Sequence, residues 1–317
     1  MTFVRTVLGD LPSGPDDPGL GCGNAHEHLA LDGPFVADRF TDFLLDDPEV
    51  VAQDLRAFKQ HGGGWAIDTM PTGPGRNPRN LMEVSRRSGV AVVAATGLHL
   101  AMYYPDRHPM LAMGRRELSA LFVREIVSGV DEPGTEFASS LKAGVIKVAG
   151  GRGRLDALQR EAFAAAGRAS AETGCPIITH CEAGTAGPEQ IDRLLEAGAD
   201  PRHVVLSHCD RIPDRNYHAD LLRTGVTLEY DNHFRTLQRN GTCPTAELVA
   251  DLIREFPDQI VAGMDLARRS YWPGFGGGPG PVWLVTAWPD LLRQHGVADH
   301  AIERILTHNP RRCFSFA

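Results

Sequence analysis

The run Ala143-Gly-Val-Ile-Lys-Val-Ala149 sets an ammonium group in the middle of what otherwise reads as a short buried strand. Val145, Ile146 and Val148 are β-branched and flanked by glycines, which suits a strand covered on both faces. Lys147 does not fit that setting. Burying an unpaired lysine costs on the order of several kcal/mol, and loss of the proton relieves the cost. The neutral amine then has two chemistries open to it: a Schiff base with a carbonyl substrate, or uptake of CO2 to give a carbamate able to bridge two cations. The inert reading is a stem that packs while the head snorkels to solvent. Four histidines and an aspartate bear on the choice, namely His26, His28, His180, His208 and Asp265, each at the end of an apolar run. His26 and His28 are two residues apart, so on a strand they share one face, as two ligands of one ion require.

The elements that must position these residues follow from the hydrophobic pattern. A turn-rich segment over 12–18 precedes a strand over 21–28, a helix over 48–61 and an apolar strand over 65–69. Helical spacing over 77–88 leads to a strand over 90–95 that Thr96-Gly97 ends, then a loop with Tyr103-Tyr-Pro105 and a helix over 115–128. After the lysine strand come a helix over 155–173 stopped at Gly174, strands over 176–180, 204–208, 226–230 and 260–265, and helices over 189–197, 219–223 and 246–256. A Gly/Pro-rich loop over 273–281 leads into C-terminal helices. Eight short strands alternating with helices predict an α/β fold, a (β/α)8 TIM barrel with its site at the C-terminal ends of the strands. No linker or low-complexity tract divides the chain, so 1–317 reads as a single domain. An open doubly wound sheet would carry a Gly-rich phosphate turn after an early strand, whereas Gly62-Gly-Gly64 precedes one.

In such a barrel His26 and His28, Lys147, His180, His208 and Asp265 all fall at the mouth, which packing alone explains poorly. The remaining histidines, His61, His203, His295, His300 and His308 among them, read as satisfied polar residues. Charge arithmetic favours the carbamate. Four neutral imidazoles and one aspartate supply a single negative charge, so an ammonium between two dications would add repulsion. With a carbamate on Lys147, Asp265, a bridging hydroxide and two divalent ions the sum is about +1, a site that favours an oxyanion. Imidazole and carboxylate ligands suit zinc first, with cobalt, manganese or iron also compatible.

His26-x-His28, Gly-Val-Ile-Lys147-Val, Thr-His180, Ser-His208-Cys-Asp, Gly-Met-Asp265 and Thr-His-Asn309-Pro-Arg together resemble the phosphotriesterase-like group of the amidohydrolase superfamily, over nearly the whole chain. The resemblance implies a distorted TIM barrel with a binuclear centre. His26, His28 and Asp265 would hold one ion, His180 and His208 the other, with carboxylated Lys147 and a hydroxide between them. It also implies attack of that hydroxide on a carbonyl or phosphoryl centre, Asp265 taking the proton, and a homodimer. The chain departs from the group twice. Where phosphotriesterases extend a proton relay with a carboxylate and a histidine, this chain has Arg211 and Asn232, so proton exit must differ. Where the lactonases place a tyrosine near the hydroxide, the matching position is His99.

The segment Asp265-Leu-Ala-Arg268-Arg269-Ser-Tyr271, together with Arg211 and Arg235, puts up to four cations and a phenol above the site, a cradle for a phosphate or carboxylate. The opposing reading is that these arginines pair with Asp210, Asp214 or Asp231 and hold the loops. The pattern resembles the branch that opens phosphorylated aldonolactones. The expected activity is therefore hydrolysis of an ester bond: a metal-dependent lactonase acting on an anionic, phosphorylated sugar lactone. Phosphotriesterase, arylesterase or neutral-lactone hydrolysis on the same site is the alternative. A Schiff-base aldolase using Lys147 and a metal-poor binding protein are weaker readings, separable by borohydride trapping and by elemental analysis.

Composition sets the outer bounds. A formal charge of −8 disfavours a nucleic-acid surface, and no apolar run is long enough to span a bilayer. The opening Met1-Thr-Phe-Val-Arg-Thr lacks the regions of a secretory signal. Cys22, Cys175, Cys181, Cys209, Cys243 and Cys313 are dispersed with no C-x-x-C pair, which favours a reduced cytoplasmic setting. A small-molecule substrate, with neither nucleic acid nor membrane, is the expected partner.

Overall fold

The computed structural model describes residues 2–14, 20–131 and 140–316, so part of the turn-rich segment expected over 12–18 lies outside it. The chain opens with a hairpin that the hydrophobic pattern did not disclose: β1 (Phe3–Thr6) pairs antiparallel with β2 (Gly9–Pro12). It closes over two residues, with the Thr6 hydroxyl donating to the Gly9 carbonyl at 2.6 Å. The Val7 amide then donates to the Val92 carbonyl at 2.8 Å, docking the hairpin near the start of a barrel strand.

The order continues β3 (Cys22–Glu27), α1 (Pro34–Arg39), α2 (Pro48–Gln60), β4 (Gly63–Asp68), α3 (Pro78–Ser88), β5 (Ala91–Leu98) and α4 (Arg115–Val127). Next come β6 (Val145–Gly150), α5 (Ala157–Thr173), β7 (Ile177–Cys181), α6 (Gly187–Glu196), β8 (Val204–Ser207), α7 (Arg215–Leu222), β9 (Thr227–Tyr230), α8 (His233–Thr236) and α9 (Pro244–Leu252). β10 (Ile260–Ala262), α10 (Ala287–Gln294), α11 (Asp299–Glu303) and α12 (Asn309–Cys313) complete the chain. Strands β3 to β10 are all parallel and lie side by side in chain order, a nearly closed TIM barrel.

Helix starts follow their caps. Asp47 accepts from the Glu49 and Val50 amides ahead of α2, and Asp156 and Gln159 satisfy each other's backbone ahead of α5. Such caps contribute about 1 kcal/mol each. Asp214 caps α7 in the same way, which moves that helix start from the expected 219 back to Arg215.

Period-two alternation decides what enters the barrel. Val145 packs with Val93, Ala95, Ile178 and Val205 in an interior plug, while Ile146 and Val148 face the helices. Lys147, two residues beyond Val145, therefore faces the axis one layer above the plug, and His180 stands likewise above Ile178. Trp65 meets Phe314 edge-on at the base, with ring centroids 6.2 Å apart. Each fully buried Ile or Phe of this plug contributes about 1.5–3 kcal/mol.

Among the strand ends that differ from expectation, those of β5, β8 and β10 shape the site. Gly97 does not end β5, which runs to Leu98; a Cβ there would lie 1.8 Å from the Lys147 carbonyl oxygen, so the glycine serves close approach of two backbones. Strands β8 and β10 stop at Ser207 and Ala262, before His208 and Asp265. Both of those residues adopt left-handed turns, φ 65° and 47°. Between β10 and β3 the barrel closes through turn amides: Met264 and Asp265 donate to the His26 carbonyl at 3.1 and 2.9 Å. Gly263 sits in that seam, where a Cβ would come 2.5 Å from Glu229 Oε1 and 2.7 Å from the His26 backbone nitrogen. No helix among the described residues is long and apolar enough to cross a membrane, and all six cysteines are free.

Candidate metal centre and its mouth

All six residues singled out for chemistry converge. Lys147 Nζ lies 3.4 Å from His26 Nε2, and both side chains are buried. Asp265 Oδ1 is 3.8 Å from His26 Nε2 and 3.4 Å from His28 Nε2. The imidazoles of His26 and His208 have centroids 4.7 Å apart, and those of His180 and His208 are 4.5 Å apart. The left-handed turns explain how residues just past their strands still aim inward, and such conformations cluster at functional sites.

The electrostatics are those of a buried, proton-poor centre. Burial, then the neighbouring charges, pushes His26, His99 and His208 well below the usual imidazole range, and burial also lowers His180. Burial brings the Lys147 ammonium down to about 8, although Asp265, Glu229 and Asp231 oppose the shift. Burial alone would raise Asp265, but its bond with His28 and the Arg235 charge hold the carboxyl well below the carboxylate range.

Three further carboxylates frame the imidazoles, and the sequence reading missed them as neighbours of the centre. Glu229 Oε2 lies 3.5 Å from His26 Nδ1, whose 3.0 Å partner is the Ser207 hydroxyl. Asp231 Oδ2 lies 2.5 Å from His208 Nδ1, and Glu182 Oε2 lies 2.9 Å from His180 Nε2. Glu229 and Asp231 stand two apart at the end of β9 and so share the inward face; that alternation was the available signal. The charge sum drawn from Asp265 alone therefore omitted two buried acids. Burial and the Asp231 charge push Glu229 well above the carboxylate range, which keeps this pair from adding two full negative charges.

These residues fit divalent cations. Ligand atoms of His26, His28 and Asp265 all lie within 4.8 Å of one another, as do those of His26, His208, Glu229 and Asp231. His28 Nδ1 and both Glu229 oxygens are buried without a hydrogen-bond partner among the described residues. Imidazole nitrogens that carry a carboxylate or hydroxyl partner on one side, with the other nitrogen directed to a common centre, are the usual arrangement around a bound metal.

Above the centre opens a cavity of about 320 Å³. Its lining includes every residue expected to meet substrate, His99, Arg211, Arg235, Arg268 and Tyr271, and also Phe43, Tyr103 and Glu182. The arginines divide, however. Arg235 donates to the Asp231 carbonyl at 2.7 Å and to the Asp265 carbonyl at 2.5 Å, so its guanidinium is largely committed to the turn that carries Asp265. Arg269 turns away to Asp46 and the Leu44 carbonyl and does not line the cavity. Arg268 meets Asp42 only at 3.6 Å, half exposed, and Arg211 reaches Asp265 at 3.8 Å. Of the pairings in the opposing reading, the one with Asp231 is met by Arg235, Nη1 to Oδ1 at 3.8 Å, while among the described residues Asp210 accepts from Thr245 and the Asn232 amide and Asp214 caps α7. A phenol does line the cavity beside position 99: the ring centroid of Tyr103 is 4.5 Å from that of His99.

Residues 4–314 match the sequence pattern of the phosphotriesterase family. The chain is 31% identical to a phospho-furanose lactonase of Mycoplasmopsis agalactiae, over 99% of this chain and 92% of that one. An amidohydrolase structure from Mycoplasma synoviae superposes with a TM-score of 0.91 at 30% identity, over 100% of this chain and 92% of the other. A lactonase structure from Listeria monocytogenes gives 0.88 at 27% identity, covering 99% of both chains.

Proposed function

The chain belongs to the phosphotriesterase family of hydrolases, and from that premise we propose that it is a dimetal lactonase opening an anionic, phosphorylated sugar lactone. The observation that carries the substrate half is the cationic side of the cavity, where Arg268 and Arg211 are only loosely engaged by protein carboxylates. The phospho-furanose lactonase of Mycoplasmopsis agalactiae, similar over 92% of its length, supports the same substrate class.

His26, His28 and Asp265 would hold one ion and His180 and His208 the other, with Lys147 between them as a carbamate. The amine supports that reading, since at about 8 its pKa leaves a substantial neutral fraction near neutrality to take up CO2. Bound there, zinc or a similar divalent pair supplies a water acidified toward neutrality and a Lewis acid for the lactone carbonyl. Asp265 Oδ2 accepts the proton of the attacking water and returns it to the ring oxygen as the C–O bond breaks, giving the open-chain hydroxy acid. Arg211 and Asn232 stand where a relay would otherwise lead outward, so the proton is handed back within the site. Tyr103 and His99 close the side nearest His180 and exclude bulk water. Arg268, with Tyr271, binds the phosphate.

Leu31, Phe43, Met70 and Tyr103 add apolar surface to the same cavity, with the Arg268 guanidinium 4.8 Å from the Phe43 ring centroid, which favours slow cleavage of neutral aryl esters or phosphotriesters as a side reaction. In this reading the enzyme works in the cytoplasm, as a homodimer, on a small molecule. A panel of phosphorylated and neutral lactones assayed with metal-reconstituted protein tests it. Turnover confined to neutral esters removes the phosphate half, and fewer than two ions per chain removes the dimetal half.

A further inference from the structure

Glu182 sits two residues past His180 and was not singled out from sequence, yet it is the hydrogen-bond partner of that ring at 2.9 Å. A carboxylate only accepts, so the single proton of a neutral His180 resides on Nε2 and the lone pair on Nδ1. The turn carrying Glu182 is fixed from several directions. Thr185 donates to the Glu182 carbonyl through both its amide (3.1 Å) and its hydroxyl (2.7 Å), and the Gly153 amide donates to that hydroxyl. Tyr217 of α7 donates to the next carbonyl but one, that of Gly184, at 3.1 Å. Ala183 and Ala186 both take left-handed conformations, φ 54° and 61°, which a residue with a Cβ adopts only when its surroundings impose them. A strained turn braced by a neighbouring helix and by the loop after β6 holds one carboxylate against one imidazole.

We infer that Glu182 is the positioning residue of the second ion: it fixes the His180 tautomer and ring angle so that Nδ1, not Nε2, is delivered to the metal. The inference rests on the dimetal reading above. It also makes the centre asymmetric, because His26 and His208 are contacted by hydroxyl or carboxylate at Nδ1 and present Nε2.

The test is metal binding by holoprotein and by its chelator-stripped form. Zinc is titrated against a chromophoric chelator and cobalt(II) followed by its visible spectrum, for wild type, Glu182→Ala and Glu182→Gln. Losing an outer partner of this kind weakens a metal site about 10–100-fold. Glu182→Ala should weaken only the second ion, by about that factor, and shift the cobalt spectrum of that site. Glu182→Gln, whose Oε1 accepts the same bond, should recover most of the affinity and should fold if the alanine variant does not. Unchanged affinity in both variants, or equal weakening of both ions, overturns the inference while leaving two tight ions in wild type. Wild type holding fewer than two ions overturns the dimetal reading and the inference with it.

Discussion

Arg268→Gln separates recognition of the phosphate from the chemistry. In the resting site Arg268 Nη1 lies 3.6 Å from Asp42 Oδ2, and the two side chains are 47% and 43% exposed. A pair so exposed contributes at most about 1 kcal/mol. A hydrogen bond from the guanidinium to a charged phosphate contributes about 1.5–3 kcal/mol. With the Asp42 pair at that upper value, exchanging it for substrate gains about 0.5–2 kcal/mol, and at 1.4 kcal/mol per tenfold the glutamine variant should lose about 2–30-fold in kcat/KM on a phosphorylated lactone. On the neutral lactone of the same ring it should stay within about twofold, because no metal-facing atom moves. The loss should shrink as salt rises, since screening already weakens the contact in wild type. Initial rates from a pH-indicator assay at two ionic strengths measure all of this. An equal loss on both lactones, or none on either, refutes the assignment of the anion to this arginine.

Arg235→Met should behave differently. Because that guanidinium holds the Asp231 and Asp265 carbonyls, we expect a drop of about 2–4 kcal/mol in unfolding free energy by urea and loss of turnover on charged and neutral lactones alike. Lys147→Met should bind fewer than two zinc ions by elemental analysis. Rigorous removal of CO2 during reconstitution should slow metal uptake of wild type and not of the variant. Away from the site, the buried pair of Arg76 and Glu125, 2.7 Å apart, should cost about 3–5 kcal/mol when Glu125→Gln breaks it. Burial opposes ionisation of Glu125, but the Arg76 charge and bonds hold its carboxyl below its usual range. The folded pKa is depressed, so this contribution is complete above the unfolded value near 4.5 and is lost as pH falls through the folded one. The urea midpoint of wild type should accordingly fall toward that of Glu125→Gln on acidification below about pH 4.5.

The barrel was readable because its eight strands are short apolar runs separated by helical spacing, and the six converging side chains because five stand at or near the end of such a run and Lys147 interrupts one. Other features were hidden for physical reasons. The hairpin over Phe3–Thr6 and Gly9–Pro12 shows too little alternation to read as strand, with β2 exposed throughout. His208 and Asp265 looked like strand ends because left-handed turns keep their side chains directed inward after the ladder stops. Glu182 and Tyr103 escaped notice because nothing local marks a carboxylate or phenol in a loop as facing a centre built from other strands, whereas for Glu229 the period-two spacing from Asp231 was the one local sign. Sequence position brings cations near the mouth, but only tertiary structure shows that Arg235 is tied to carbonyls and Arg269 to Asp46.

In the dimetal reading proposed above, which makes His26 and Asp265 ligands of one ion, the seam between β10 and β3 ties folding to metal retention. The amides of Met264 and Asp265 that close the cylinder belong to the residues that carry Asp265 into the centre, and they bind the carbonyl of His26. Any fluctuation that opens the cylinder there parts two ligands of one ion, so a loaded protein should exchange those two amides with deuterated solvent far more slowly than a stripped one. Escape of the ion and opening of the wall become one event, and the slowest motion of the scaffold sets how long the enzyme stays armed.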